Sequence, residues 1–142
     1  MKREYPEHPL VGVGAVVVEG ERVVLVRRGA EPMAGEWSIP GGLLELGETL
    51  RAGAAREARE ETGLQVEAGE VLEVLDRIVP DTQGKVRFHY VLIDFLCRRI
   101  GGELRAGGDA AEARWARDSD LQTLGVAEPA ARVIRKALSQ GG

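Results

Sequence analysis

Seven charged or glycine residues stand at fixed offsets in the segment Gly42–Leu64, which reads GLLELGETLRAGAAREAREETGL. Glu57, Glu60 and Glu61 are related by i, i+3 and i+4, so a helix places their carboxylates on one face. Three neighbouring carboxylates repel one another, and a hard divalent cation that prefers oxygen ligands, Mg²⁺ or Mn²⁺, relieves that repulsion. The pattern indicates a metal site, although an acidic helix face that is merely solvated would look the same. The seven residues are Gly42, Glu48, Arg56, Glu57, Glu60, Glu61 and Gly63.

The flanking residues predict a helix from Leu50 to Thr62, because this stretch is rich in Ala, Arg, Glu and Leu. Thr49 is a suitable N-cap, and Gly63 suits a left-handed C-cap just past the end. The preceding loop, which contains Ile39–Gly42 and Gly47, is punctuated by glycine and can bring backbone groups close to a ligand. Loop and carboxylate face together favour a metal and phosphate site over a solvated surface.

The whole pattern, G-x5-E-x7-R-E-U-x-E-E-x-G-U with U a bulky aliphatic residue, resembles the Nudix box of hydrolases that cut nucleoside diphosphates linked to another group. Leu64 fits the second U, whereas Ala58 departs from the first, which bears on helix packing and not on chemistry. The resemblance implies that Arg56 orients a catalytic glutamate and that Glu48 is an accessory residue near the metal. The implied metal ligands are Glu57, Glu60, Glu61 and the backbone carbonyl of Gly41.

The resemblance also implies a mechanism, in which Mg²⁺ ions bridge the substrate diphosphate and the glutamates and orient a water for in-line attack. The proton of that water passes to Glu57, to Glu60 or to an acid from a later loop. Glu112 is the first choice for the loop acid and Asp109 the second. An ordinary acidic loop explains either residue equally well.

Substrate recognition depends on residues outside the box. Arg27 and Arg28 end a predicted strand, where they either contact phosphate or are solvated. Trp37 either stacks on a base or belongs to the core. The segment from Val11 to Phe95 is similar to small ADP-ribose pyrophosphatases, which implies ADP-ribose as substrate and AMP and a sugar phosphate as products. A triphosphatase acting on oxidised dGTP and a non-catalytic nucleotide sensor are the alternatives.

Length and composition favour one domain over residues 1–142, with a core from about residue 9 to residue 139. The net charge of −4 argues against a nucleic-acid surface. No apolar run approaches the ~20 residues that span a bilayer, and the N-terminus lacks the apolar core of a secretion signal. With a single cysteine, Cys97, no internal disulfide forms, so a cytoplasmic location is expected. A homodimer is implied by the resemblance alone.

Strands alternating with two main helices predict an α/β fold, and the resemblance implies an α/β/α sandwich around a mixed sheet. The motif Gly12-Val13-Gly14 begins like a dinucleotide fingerprint, but it lies within a strand and lacks the third glycine. Residues 29–37 are expected to form a loop, and residues 100–111 a flexible one. The predicted strands are 11–18, 22–28, 38–39, 65–80, 85–99 and 113–116, and the predicted helices after the box are 118–124 and 128–138.

Overall fold

The computed structural model describes residues 2–30 and 33–141, so residues 31 and 32 of the expected loop lie outside the described part of the chain. In the described residues seven strands and three helices follow one another. They are β1 (Leu10–Glu19), β2 (Arg22–Arg28), β3 (Trp37–Ser38), β4 (Gly41–Leu43), α1 (Leu50–Thr62), β5 (Leu64–Pro80), β6 (Val86–Gly102), β7 (Ala110–Ala116), α2 (Asp118–Thr123) and α3 (Glu128–Gly141).

The strands form one mixed sheet in the order β3-β2-β1-β6-β5, with β4 paired to β1 and β7 paired to β2. The central pair, β1 and β6, is parallel, and the other pairs are antiparallel. Because successive side chains of a strand point to opposite faces, β1 contributes alternately to two cores. Val13, Ala15 and Val17 pack with α1, and Val16 and Val18 pack with α3. The predicted α/β/α arrangement around a mixed sheet is confirmed.

Helix α1 has the predicted caps. The Thr49 hydroxyl accepts a hydrogen bond from the Ala52 N–H at 3.1 Å, and Gly63 adopts a left-handed conformation with φ of 74°. Ala58 is fully buried in the core between α1 and the sheet. A Cβ on Gly53 would lie 2.9 Å from Leu44 Cδ1 and 3.2 Å from Val13 Cγ2, so this helical glycine lets α1 approach the sheet closely.

Two predictions about the loops were wrong. Gly41 and Gly42, expected in a loop, form β4 against β1, since an edge strand of three residues tolerates glycine when a neighbouring backbone must come close. Residues 100–111 are not all loop, because β6 continues to Gly102 and β7 begins at Ala110, so only residues 103–109 connect the two strands. In the described residues no helix combines the length and apolar character that crossing a membrane requires.

Candidate active site

Two glutamates of α1 lie against the backbone of β4. The Gly41 N–H donates to Glu61 Oε1 at 3.2 Å. A Cβ placed on Gly42 would lie 2.6 Å from all three atoms of the Glu57 carboxylate, so a side chain there would displace this group. Only 9% of Glu57 and 8% of Glu61 is exposed. Two carboxylates that the box pattern predicted on one face are thus held together, largely out of water.

The electrostatics of Glu57 and Glu61 follow from their burial and their closeness to each other. The pKa of Glu61 is raised to about 8, mainly by burial and next by the adjacent negative charge of Glu57, while the hydrogen bond from Gly41 opposes the shift. Asp109 adds a smaller unfavourable charge. Closely spaced carboxyl oxygens that resist ionisation together are a suitable donor set for a hard divalent cation, which neutralises them as a proton does.

Arg56 fixes the orientation of the site. Its guanidinium donates to Glu48 through Nε at 2.6 Å and Nη2 at 3.0 Å, and to the Leu43 carbonyl at 3.0 Å. Nη1 donates to Glu57 at 2.8 Å and to Glu60 at 3.2 Å. The Arg56 hydrogen bond also holds the pKa of Glu48 below its usual value. Arg56 therefore contacts Glu57 and Glu60 directly, and Glu48 reaches them only through Arg56.

The third predicted glutamate ligand is oriented differently. Glu60 is bound by Arg56, and 52% of its side chain is exposed. In residues 2–30 and 33–141 no three acidic, histidine or cysteine side chains converge as a ready metal cage. Glu57 and Glu61 are thus held together, whereas Glu60, about one turn along α1 from Glu57, is bound to Arg56 at 3.2 Å and faces solvent.

The loop that follows β6 carries a further acid, Asp109, whose charge acts on Glu61. The Arg105 N–H donates to the Thr62 carbonyl at 2.8 Å, and the Gly107 N–H donates to the Glu61 carbonyl at 3.1 Å. A Cβ on Gly107 would lie 2.6 Å from the Glu60 carbonyl oxygen, so only glycine permits this approach to the end of α1. The consequence is that Asp109 acts electrostatically on Glu61.

Glu112, the first choice for the loop acid, has a different neighbour. It lies in β7 opposite Arg27 of β2, and Arg27 Nη2 donates to its Oε1 at 2.8 Å. The Arg28 backbone N–H bonds to the Glu36 carbonyl at 2.9 Å. Trp37 pairs with Arg27 across β2 and β3, and its half-buried side chain packs against the α3-side core. These predicted substrate-contacting residues therefore cluster where β2, β3 and β7 meet.

One residue of the Arg56 network, Glu45, is not part of the box pattern. Glu45 Oε1 lies 2.9 Å from Arg56 Nε, and the Glu45 N–H donates to Glu48 Oε1 at 3.0 Å. Only its place three residues before Glu48, within the loop that enters α1, could have suggested it.

Comparison with known proteins decides the family. The NUDIX domain family matches residues 8–137, which include every element from β1 to most of α3. The chain belongs to the Nudix family. Its box residues, Gly42 to Leu64, therefore coincide with the loop and helix described above.

Relatives differ in what their names say they act on. The chain is 37% identical over 108 residues to an ADP-ribose pyrophosphatase of Methanocaldococcus jannaschii, covering 76% of this chain and 62% of the relative. It is 38% identical over 95 residues to a putative 8-oxo-dGTP diphosphatase of Mycobacterium tuberculosis, covering 66% and 64%. The crystal structure of a MutT NUDIX hydrolase from Burkholderia pseudomallei matches with a TM-score of 0.70 and 28% identity, covering 96% of this chain and all of that one. The chain thus spans a little over three-fifths of the length of these two curated relatives.

Replacing Arg56 by alanine should destabilise the fold by about 3 kcal/mol, because it leaves buried carboxylates without their counter-charge. In the matched control, Arg98→Ala, the ion pair with Glu67 is well exposed, so the loss should stay below about 1 kcal/mol. Urea unfolding in EDTA measures both variants. Equal losses would show that the Arg56 network stabilises no more than an exposed pair.

Proposed function

We propose that this protein is a Mg²⁺-dependent pyrophosphohydrolase that cleaves nucleoside diphosphates linked to another group, with ADP-ribose as the favoured substrate. The observation that carries the proposal is the buried pair Glu57 and Glu61, seated on the β4 backbone and oriented by Arg56. A fold that stores two adjacent buried carboxylates accepts an electrostatic cost, and a cation-bridged diphosphate would relieve it.

Each residue of the box has a proposed task. Glu57, Glu60, Glu61 and the Gly41 carbonyl would hold Mg²⁺, with Mn²⁺ as a substitute. The bound metal supplies charge neutralisation at the phosphoryl oxygens and a water primed for attack. Arg56 keeps Glu57 in one orientation through the bond at 2.8 Å, and Glu48 holds Arg56 in turn.

The proton of the attacking water has three candidate acceptors. Glu57 and Glu60 belong to the box, and the third is a loop acid. We favour Asp109 for the loop acid, because its charge acts on Glu61, whereas Glu112 is engaged by Arg27 at 2.8 Å. Glu112 then serves to hold Arg27.

ADP-ribose is favoured as substrate, with AMP and ribose 5-phosphate as products. The similarity to the M. jannaschii ADP-ribose pyrophosphatase supports this choice. Arg27 and Arg28 are proposed to contact the diphosphate and Trp37 the base. An enzyme acting on oxidised dGTP is the second candidate, supported by the M. tuberculosis relative. A nucleotide sensor is disfavoured, because every charged residue of the box is present.

Hydrolysis of ADP-ribose in Mg²⁺ should yield AMP and ribose 5-phosphate and should stop in EDTA. Glu57→Gln should lower kcat by roughly 100-fold or more while the protein stays folded, because a carboxylate that contacts the metal is lost. The products are identified by chromatography after incubation with ADP-ribose, 8-oxo-dGTP, diadenosine polyphosphates or NADH. The control is Glu67→Gln, which removes an exposed carboxylate.

A preference for 8-oxo-dGTP in that panel would replace the favoured substrate and keep the chemistry. Turnover of ADP-ribose that persists in EDTA would overturn the metal role, and unchanged turnover by Glu57→Gln would overturn the task of Glu57.

The two loop acids can be separated by matched substitutions. Asp109→Asn should lower kcat by roughly tenfold or more with little change in KM, since a proton-accepting or metal-contacting group is lost. Glu112→Gln should mainly raise KM, because Arg27 loses the partner that orients it. Steady-state kinetics at saturating Mg²⁺ measures both. The reverse pattern would return the catalytic task to Glu112.

Three broader predictions remain proposals. Residues 1–142 act as one domain, which the continuous sheet and its two cores support. The location is cytoplasmic. A homodimer follows from the family likeness, and light scattering that finds only a 15.3 kDa species at micromolar concentration would exclude it.

A further inference from the structure

The two glycines of the Gly12-Val13-Gly14 motif lie under side chains of the neighbouring strand. In the parallel pairing of β1 and β6, Gly12 is opposite Leu92 and Gly14 is opposite Asp94. A Cβ on Gly14 would lie 2.3 Å from Asp94 Oδ1 and 2.9 Å from Ile39 Cδ1. Gly14 therefore provides the space in which the Asp94 carboxylate lies flat on the sheet.

Asp94 is a buried acid that has no partner among the described residues. Only 8% of the residue is exposed, and it forms no hydrogen bond or ion pair with any described residue. The pKa of Asp94 is raised to about 6, mainly by burial and to a smaller extent by the charge of Glu73. Glu73 lies directly opposite on β5, and its own carboxylate accepts from Arg132 at 3.3 Å. The residue paired with Asp94, Glu73, therefore supplies neither a positive charge nor a hydrogen-bond donor to the Asp94 carboxylate.

The Asp94 oxygens are nevertheless not sealed. Across the described residues, every fully enclosed side-chain oxygen or nitrogen has a hydrogen-bond partner. Since the Asp94 oxygens have none, each must keep an opening to solvent. A carboxylate in this position can accept hydrogen bonds only from a molecule that enters from outside, and an ionised carboxylate is an acceptor with two oxygens.

The sheet register places Asp94 near the candidate active site. Gly14 is opposite Gly41 on one side and opposite Asp94 on the other. Two strand spacings therefore separate Asp94 from Gly41, which is about 10 Å. That separation is comparable to the length of a nucleoside. The Asp94 side chain lies on the α3 face of the sheet with Gly14 and Ile39, and the glutamates of α1 lie on the other face, so the nucleoside of a diphosphate at the box would reach Asp94 around the short strand β4.

We propose that Asp94 is a specificity-determining residue that accepts a hydrogen bond from the nucleoside of the substrate, from either a base amino group or a ribose hydroxyl. The inference rests on the proposed function, since it assumes a nucleoside diphosphate at the box. An unpaired buried carboxylate lowers the stability of the fold, and a donor supplied by the ligand compensates it. A molecule without a donor at this place would leave the carboxylate unpaired and would be rejected.

Binding of three ligands tests the inference without requiring turnover. The ligands are ADP-ribose, its inosine counterpart, in which a carbonyl oxygen replaces the base amino group, and its 2′-deoxyadenosine counterpart. Calorimetry is carried out with Ca²⁺ in place of Mg²⁺, because Ca²⁺ also takes oxygen ligands but with looser geometry. The proteins are wild type, Asp94→Leu and the control Asp76→Leu. Leucine keeps the branching of aspartate at Cγ but is larger and uncharged, and Asp76 is an exposed acid on the face of β5 opposite Glu73.

Asp94→Leu should weaken ADP-ribose binding roughly tenfold to a hundredfold, and Asp76→Leu should leave it unchanged. Wild type should discriminate against one of the two analogues by a similar factor, and Asp94→Leu should lose that discrimination, which identifies the group that Asp94 contacts. The melting temperature of Asp94→Leu should equal or exceed that of wild type, because an unpaired buried carboxylate has been removed.

Unchanged binding of all three ligands by Asp94→Leu would overturn the inference. So would an equal weakening of all three with a lowered melting temperature, since that is the result of a structural role. If wild type binds ADP-ribose with the expected discrimination but does not hydrolyse it in Mg²⁺, the proposed function fails and the role of Asp94 stands. If wild type binds none of the three ligands, both the proposed function and the role of Asp94 are overturned.

Discussion

The site depends on one unfavourable interaction, the burial of Glu57 and Glu61 side by side against the backbone of β4. Two like charges in a region of low solvent access destabilise the fold, and neighbouring groups compensate for this only in part. Arg56 neutralises one side, and the Gly41 N–H stabilises the other. Because Arg56 is also shared with Glu48 and Glu60, the cluster keeps an excess of negative charge. That remaining charge is what the proposed cation would neutralise.

Close backbone approach makes this burial geometrically feasible. Glycines at three places allow α1 to lie against its neighbours: Gly53 toward β1, Gly42 beneath Glu57, and Gly107 at the end of the helix. In each case a Cβ would meet another atom within 3.0 Å. The cost of a helical glycine, about 1 kcal/mol relative to alanine, is therefore offset at Gly53 by the packing that it permits. Larger residues at these places would move the carboxylates away from β4.

Features that depend on nearby residues could be predicted from the sequence. The caps at Thr49 and Gly63, the bounds of β2 and the shared buried face of Glu57 and Glu61 all follow from local spacing. Features that depend on pairing could not. Strand β4 looked like a loop because glycine is depleted in strands, and its pairing with β1 is a long-range contact. The different surroundings of Asp109 and Glu112 likewise depend on the register between β2 and β7, which spacing alone does not reveal.

The same distinction separates the proposed catalysis from the proposed recognition. Most residues proposed for the cutting chemistry lie in one contiguous segment, so a linear pattern is enough to suggest them. The proposed recognition, in contrast, would depend on residues that only the sheet brings together, as when Gly41, Gly14 and Asp94 line up across three strands. A change in any one of these strands can alter the surface offered to a nucleoside without touching the glutamates of α1. The names of two relatives give different substrates, ADP-ribose and 8-oxo-dGTP, although both match this chain over about two thirds or more of its length, which fits a substrate preference set by the paired strands.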